Sequence, residues 1–117
     1  ERDLQEGGAL RFDFESLANR DVQSRWAEAM HVYGITIVQG MPIREDTVIE
    51  FANRLVGYVY PTVYGHKFTI KAVDKPNNLA YNSDALQMHT DLPFCTLPPS
   101  IQIFHCLRQA EQGGESL

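Results

Sequence analysis

The sequence has little of several features that mark whole classes of protein. Its 117 residues include two cysteines, ten basic residues against fifteen acidic ones, and no apolar run near the roughly 20 residues of a membrane span. Two cysteines do not make a disulfide framework, so free thiols in an intracellular protein are expected. A net charge of −5 does not favour the basic surface that binds nucleic acid. Neither a nucleic acid nor a membrane is therefore an expected partner.

Helical periodicity marks two stretches in the first half of the chain. The first follows Asp21, a plausible N-cap, and ends at Gly34; the second begins near Arg44 and ends at Gly57. Their apolar faces consist of Val22, Trp26, Ala29, Met30 and Tyr33 in the first and of Val48, Phe51, Ala52 and Leu55 in the second. We expect these faces, Trp26 and Tyr33 in particular, to form part of the core.

Several shorter stretches favour strands. Residues 35–38 are a β-branched run between the two helices, and residues 11–17 could form a short strand or a docking segment. Residues 66–73 and 100–107 alternate as strands do, and 100–107 is the most hydrophobic candidate. Residues of one parity in a strand share a face, so Ile101, Ile103 and His105 are expected on one side and Gln102, Phe104 and Cys106 on the other.

His89 and Asp91 are the strongest candidates for chemistry. On an extended strand, residues i and i+2 project to the same side, so this imidazole and carboxylate can converge on one point. Pro93 cannot donate to a sheet ladder and would end the strand just after them. A His and a carboxylate are two of the three ligands of the facial triad of non-haem Fe(II) oxygenases. The tripeptide alone, however, favours a solvated strand end, because such short matches arise by chance.

Other candidates also have structural readings. Tyr58, Tyr60 and Tyr64 can be core aromatics, and Asn78 can be a turn residue. His105 is better read as a buried, hydrogen-bonded histidine than as a metal ligand. Cys95 and Cys106 are likewise better read as small buried apolar residues.

Five blocks in a fixed order make the pattern more specific. They are YGHKF (64–68), NNLAY (77–81), HTDLP (89–93), PPSIQIFHCL (98–107) and GGESL (113–117). With these blocks the sequence resembles the taurine-dioxygenase-like superfamily of Fe(II)/2-oxoglutarate oxygenases, most closely its branch of γ-butyrobetaine and trimethyllysine dioxygenases. The resemblance covers the whole chain, loosely before Tyr58 and closely after it.

The resemblance implies an α+β fold, in which an N-terminal helix-strand-helix packs on part of a double-stranded β-helix (jelly-roll) core. Residues 1–117 would be the N-terminal part of a single catalytic domain, truncated at both ends. In the family pattern, a second metal-binding histidine and a 2-oxoglutarate-binding arginine lie beyond Leu117. The jelly roll is therefore expected to be incomplete here.

The resemblance also implies roles for individual residues. His89 and Asp91 match metal ligands. Asn78 matches a position between 2-oxoglutarate and substrate, and Phe104 an apolar position beside 2-oxoglutarate. Tyr64, Phe68 and Tyr81 match aromatic positions around a trimethylammonium group, which has no N–H to donate and is recognised by ring faces. The sequence departs from the pattern at Phe68, where the family often has Trp, and at Leu92, where some members carry Tyr.

The activity implied is hydroxylation of γ-butyrobetaine to L-carnitine by O2, coupled to conversion of 2-oxoglutarate to succinate and CO2. Fe(II) is the implied cofactor, 2-oxoglutarate the co-substrate and ascorbate a candidate reductant. The small trimethylammonium substrate is the expected partner, a homodimer is one expected assembly, and cytoplasm and mitochondrion both fit the family. Two alternatives stay open: a trimethyllysine dioxygenase of the same pathway, or a truncated, inactive product that acts only as an interaction partner.

Overall fold

A β-α-β unit begins the part of the chain that the computed structural model describes, residues 10–71 and 87–109. The elements in chain order are strand β1 (Arg11–Asp13), a 3₁₀ helix (Glu15–Ala18), helix α1 (Arg20–Tyr33), strand β2 (Ile37–Gln39) and helix α2 (Thr47–Val56). This α+β composition agrees with the predicted fold class.

Strands β1 and β2 pair in parallel, with Phe12 opposite Val38. Two further backbone hydrogen bonds of 2.8 Å extend the pairing, from Ile37 N to the Leu10 carbonyl and from Phe14 N to the Gln39 carbonyl. Parallel neighbours need a long crossover, and α1 supplies it. The strand predicted over 35–38 is thus confirmed, with its start at residue 37. The open choice for 11–17 becomes a three-residue strand followed by a 3₁₀ helix.

Helix α1 is capped at both ends by residues suited to the task. The Asn19 side chain accepts a hydrogen bond of 2.8 Å from Asp21 N, which occupies one of the amides left free in the first turn. The predicted cap, Asp21, is therefore wrong by two residues, because Asn19 offers the same side-chain oxygen earlier in the chain. At the other end Gly34 has φ of +73° and donates to the Met30 carbonyl, as predicted.

The inner face of α1 forms part of a small core. Trp26 and Ala29 are buried, as is Leu17 of the preceding 3₁₀ helix. Trp26 Nε1 donates to Thr36 Oγ1 at 3.0 Å, and this hydroxyl donates to Met30 Sδ at 3.2 Å, so the helix is tied to the residue that precedes β2. Tyr33, predicted for the core, is 46% exposed. Tyr33 is the last residue of α1, so no following helical turn packs over its side chain.

Helix α2 begins at Thr47, three residues after its predicted start, and buries Phe51 and Ala52 of its predicted apolar face. Gly57, with φ of +75°, donates to the Asn53 carbonyl at 3.0 Å and ends the helix as predicted. None of the described helices combines the length and the apolar character needed to cross a bilayer.

The remaining described residues run without assigned strands. Strands were predicted over 66–73, around His89 and over 100–107, but the described residues of these stretches form none. Apart from the pairing of β1 with β2, the β-pairing among the described residues is one isolated antiparallel bridge, between Thr62 and Gly65. The physical reason is that alternation of apolar and polar residues is compatible with a strand but does not form one. A strand also needs a neighbouring strand to satisfy its backbone hydrogen bonds. Within the described residues the jelly-roll core is accordingly not seen.

The described residues divide into two compact units. One comprises residues 10–47 with 106–109, and the other comprises residues 48–71 with 87–105. The first contains the β-α-β unit. The second contains α2 after its first residue, together with His89, Asp91 and the aromatic residues discussed below.

Candidate metal centre

His89 and Asp91 lie side by side in the second unit. Nε2 of His89 is 3.2 Å from Oδ1 of Asp91, and the side chains are 47% and 48% exposed. The convergence predicted from their spacing is therefore present, although the backbone around them is not a paired strand. Half-exposed side chains directed at one point are accessible to an ion from solvent. Their assignment as metal ligands stays a prediction.

The backbone around the pair fixes the histidine ring. His89 Nδ1 lies 2.7 Å from the Gln87 carbonyl oxygen, which can only accept, so Nδ1 carries the proton of this hydrogen bond. In the neutral ring this leaves the lone pair on Nε2, the atom next to Asp91. A backbone carbonyl bonded to the far nitrogen is a common arrangement for metal-binding histidines.

A turn closes the segment immediately after Asp91. Leu92 has φ of +50°, and Cys95 N donates to its carbonyl at 3.1 Å. Pro93 occupies the second position of this turn, where its fixed φ is favourable. A turn therefore follows Asp91 directly, whereas the strand that Pro93 was expected to end is not formed by the described residues.

The donor set at this point suits a hard or borderline divalent cation. An imidazole lone pair and a carboxylate oxygen face each other at 3.2 Å. These two electron-rich atoms repel unless positive charge lies between them, either as a proton on the imidazole or as a metal ion. One nitrogen and one oxygen donor match two corners of the 2-His-1-carboxylate triad that holds Fe(II). Within residues 10–71 and 87–109, no cluster of three or more His, Cys, Asp or Glu side chains is placed to hold a metal.

The other residues weighed as ligands lie in different environments. Nδ1 of His105 is buried and has no hydrogen-bond partner among the described residues. The hydrogen bond expected for this histidine stays a prediction for its other ring nitrogen. Cys95 and Cys106 are free thiols, as predicted. Cys106 is nevertheless exposed, contrary to prediction, and lies 3.7 Å from the side-chain oxygen of Gln109. Burial of its side chain would need a neighbouring layer that these residues do not provide.

Two of the three predicted cage aromatics lie together. The ring centroids of Tyr64 and Phe68 are 4.9 Å apart, with planes inclined at 39°. This tilted contact lies in the range that aromatic pairs favour. Both rings are partly exposed, so ring surface is open to a ligand. The structure therefore brings together the first and last residues of the YGHKF block as one aromatic pair.

A tight turn presents this aromatic pair. Thr62 and Gly65 exchange backbone hydrogen bonds of 3.0 and 2.9 Å, with Val63 and Tyr64 between them. The Thr62 hydroxyl accepts from Tyr64 N at 3.1 Å, and Gly65 has φ of +87°. Because L side chains rarely adopt that φ, Gly65 is well suited to its place. His66 follows and its Nδ1 lies 3.1 Å from the Val59 carbonyl, which ties the far side of the turn.

Three further residues were predicted for the site: Tyr81, Asn78 and Phe104. Tyr81 and Asn78 lie outside the described residues, so their roles stay predictions. Phe104 is described and is 72% exposed. Its assignment beside 2-oxoglutarate also stays a prediction.

Sequence reasoning missed the contacts of Gln102. Its Nε2 donates to Oδ2 of Asp91, the carboxylate oxygen that faces away from His89. The available signal was parity, because Gln102 and Phe104 fall on one face of the predicted 100–107 strand. That parity indicates a shared face but gives no partner eleven residues away.

Comparison with known proteins identifies the family. The family model described as "Taurine catabolism dioxygenase TauD, TfdA family" matches residues 2–117. Human γ-butyrobetaine dioxygenase is 32% identical over 105 residues, covering 89% of this chain and 27% of the relative. The γ-butyrobetaine dioxygenase of Pseudomonas sp. (strain AK-1) is 30% identical over 96 residues, covering 82% and 25%. Rat mitochondrial trimethyllysine dioxygenase is 29% identical over 106 residues, covering 90% and 25%.

The chain thus spans about a quarter of the length of these curated relatives. No solved structure gives a significant match.

Proposed function

The chain belongs to the TauD/TfdA family of dioxygenases, and on that premise we propose that the full-length protein is an Fe(II)- and 2-oxoglutarate-dependent dioxygenase. Its proposed reaction is hydroxylation of γ-butyrobetaine to L-carnitine. The observation that carries the proposal is the convergence of His89 Nε2 and Asp91 Oδ1, 3.2 Å apart and half exposed. In a chain of this family, that pair is most simply explained as part of an iron site.

His89 and Asp91 would hold the iron, and a further histidine outside this chain would complete the triad. When bound, Fe(II) with 2-oxoglutarate would activate O2, the oxidant that C–H hydroxylation needs. The role of the chain itself is positioning. The Gln87 carbonyl holds the His89 ring by its Nδ1, which keeps the Nε2 lone pair available to the metal. Asn78 and Phe104 are the proposed contacts of 2-oxoglutarate, with ascorbate as the proposed reductant.

The aromatic pair supports a trimethylammonium substrate. The three methyl groups of such a cation leave no N–H, so attraction to ring faces is the main recognition available. Tyr64 and Phe68 offer adjacent, partly exposed rings. Tyr81 would complete the cage, and Asn78 would lie between substrate and 2-oxoglutarate.

The rest of the assignment follows from the same premise. We propose that residues 1–117 form the N-terminal part of one catalytic domain, with a jelly-roll core completed by the remainder of the protein. Relatives named as mitochondrial enzymes support a mitochondrial or cytoplasmic location. A homodimer is the proposed assembly.

Trimethyllysine is the second candidate substrate, because relatives named trimethyllysine dioxygenase match at 29 to 36% identity. Trimethyllysine has the same cationic group as γ-butyrobetaine, so a cage of Tyr64, Phe68 and Tyr81 would accept either. Discrimination would then depend on contacts with the rest of the substrate.

The direct test is turnover by the full-length protein with each substrate. Succinate formation from 2-oxoglutarate and hydroxylated product are measured in parallel, with Fe(II) and ascorbate supplied. We expect both to depend on a trimethylammonium substrate and kcat/KM to be higher with γ-butyrobetaine. A higher kcat/KM with trimethyllysine would select the second candidate.

The matched control is His89→Ala, which removes one proposed ligand from a half-exposed position without disturbing a core. It should bind no Fe(II) at concentrations that saturate the unaltered protein. If the unaltered full-length protein neither binds Fe(II) nor consumes 2-oxoglutarate, the dioxygenase proposal fails and the inactive interaction partner becomes the better reading.

A further inference from the structure

The two oxygens of the Asp91 carboxylate have different partners. Oδ1 faces His89 Nε2 at 3.2 Å, whereas Oδ2 accepts a hydrogen bond from Gln102 Nε2. Gln102 comes from a segment eleven residues further along the chain, and the bond joins two side chains. It therefore fixes the carboxylate from outside its own segment.

This bond has a consequence for coordination. A carboxylate can bind a metal through one oxygen or through both. An amide N–H directed at Oδ2 occupies one of the lone pairs of that oxygen, so Oδ2 has less electron density to offer a metal than Oδ1 has. The same bond holds the carboxylate plane, so Oδ1 remains directed toward the point that it shares with His89.

We infer that Gln102 is a positioning residue that makes Asp91 a one-oxygen ligand through Oδ1. The inference rests on the proposed function, because it takes Asp91 as an iron ligand. Beyond that function, it explains how Asp91 can bind the metal without filling a second coordination position. A facial triad needs three open positions for co-substrate and O2, and a two-oxygen carboxylate would fill one of them.

A purely structural role for the Gln102 bond predicts something different. Gln102, His89 and Asp91 are all exposed, so the bond competes with water and adds little to folding. Its loss should leave the stability of the fold nearly unchanged. Loss of an outer-shell partner of a metal ligand, in contrast, weakens metal binding about 10- to 100-fold.

The test compares Gln102→Leu with the matched control Gln39→Leu in the full-length protein. Gln39 is an exposed glutamine on strand β2, in the other unit, so this control removes the same amide from a residue that is not assigned to the candidate site. The first readout is the dissociation constant for Fe(II), titrated anaerobically into metal-free protein. We expect Gln102→Leu to weaken Fe(II) binding by at least about 10-fold and Gln39→Leu to leave it unchanged.

The second readout is the binding mode of Asp91, seen in crystal structures of both proteins loaded with Zn(II). In the unaltered protein one oxygen, Oδ1, should lie within about 2.2 Å of the metal. In Gln102→Leu the freed Oδ2 should turn toward the metal. A thermal melt checks that the variant is folded, and Gln102→Ala replaces it if the leucine side chain itself perturbs folding.

The outcomes separate the inference from its premise. Unchanged Fe(II) affinity and an unmoved Asp91 in Gln102→Leu, with binding abolished in His89→Ala, would overturn the role of Gln102 and leave the proposed function standing. Full Fe(II) binding by His89→Ala would overturn the proposed function and this inference together. Weakened binding with Oδ2 on the metal supports the inference, because a merely structural bond would not change the coordination.

Discussion

The described residues up to Gly57 and those after it differ in secondary structure and in burial. The first region contains the strands, the helices and all the described residues that are buried: Leu10, Leu17, Trp26, Ala29, Thr47, Phe51 and Ala52. After Gly57 none of the described residues is buried. That later region nevertheless contains the His89–Asp91 pair and the aromatic pair. The part that folds on local signals and the part that carries the candidate chemistry are thus different stretches of sequence.

The difference reflects what each kind of structure needs. A helix satisfies its own backbone hydrogen bonds within four residues, and caps such as Asn19 and Gly34 finish it. A strand needs a neighbour, and in a jelly roll that neighbour can come from far along the chain. Phe104, at 72% exposed, and its apolar neighbours have no covering layer within the described residues. Such a surface is one that other parts of a protein normally cover.

The largest expected effect lies in the later region. His89→Ala in the full-length protein should reduce turnover of 2-oxoglutarate by more than the roughly 100-fold that loss of an outer-shell partner can cost. The reason is that the variant lacks one of the proposed metal donors. Turnover and the melting temperature are measured together, and we expect the melting temperature to change little, because the side chain is half exposed.

The matched control for that prediction is His31→Ala, which removes an exposed histidine from α1. It should retain full turnover. Equal losses in His31→Ala and His89→Ala would remove the functional distinction between the two regions.

These two regions also mark what the sequence could predict. Periodicity, Gly34 and Gly57 located both helices, because those signals act within one or two turns. The spacing of His89 and Asp91 predicted their convergence, because it depends on neighbouring residues alone. The described residues of 66–73 and 100–107 form no strand, since alternation does not specify a partner. The Gln102 contact was missed for the same reason: it joins segments whose approach depends on the fold.

The second prediction tests the core of the first region. Leu17 is fully buried, so Leu17→Ala should lower the free energy of unfolding by about 2–5 kcal/mol. Leu97, in the later region, is exposed, and Leu97→Ala should change it by no more than about 0.5 kcal/mol. Chemical denaturation of both variants gives the comparison. A loss of more than about 0.5 kcal/mol for Leu97→Ala would mean that other parts of the full-length protein cover this exposed surface. The contrast in burial between the two regions would then hold only for the isolated chain.

The third prediction concerns the aromatic pair. Tyr64→Leu removes one of two rings whose centroids are 4.9 Å apart. A desolvated cation gains about 2 kcal/mol from a ring face, so KM for γ-butyrobetaine should rise about 10- to 30-fold. The measurement is repeated with a neutral analogue that carries a tert-butyl group in place of trimethylammonium. An equal penalty for both compounds would mean that the ring contributes only apolar packing, and the cage assignment would fail.

The smallest expected effect tests whether local signals do stabilise the first region. Asn19 accepts a hydrogen bond of 2.8 Å from Asp21 N at the start of α1. Asn19→Ala leaves that amide to water and should lower the free energy of unfolding by about 1 kcal/mol. Asn53→Ala is the matched control, because Asn53 is exposed within α2 and has no capping role in that position. Alanine favours a helix interior over asparagine by a few tenths of a kcal/mol, so this variant should be slightly stabilised. The same substitution should therefore have opposite signs at the two sites, as read from denaturation midpoints. A loss of equal size at both would show that the asparagines act through general packing, and that the cap does not define the start of α1.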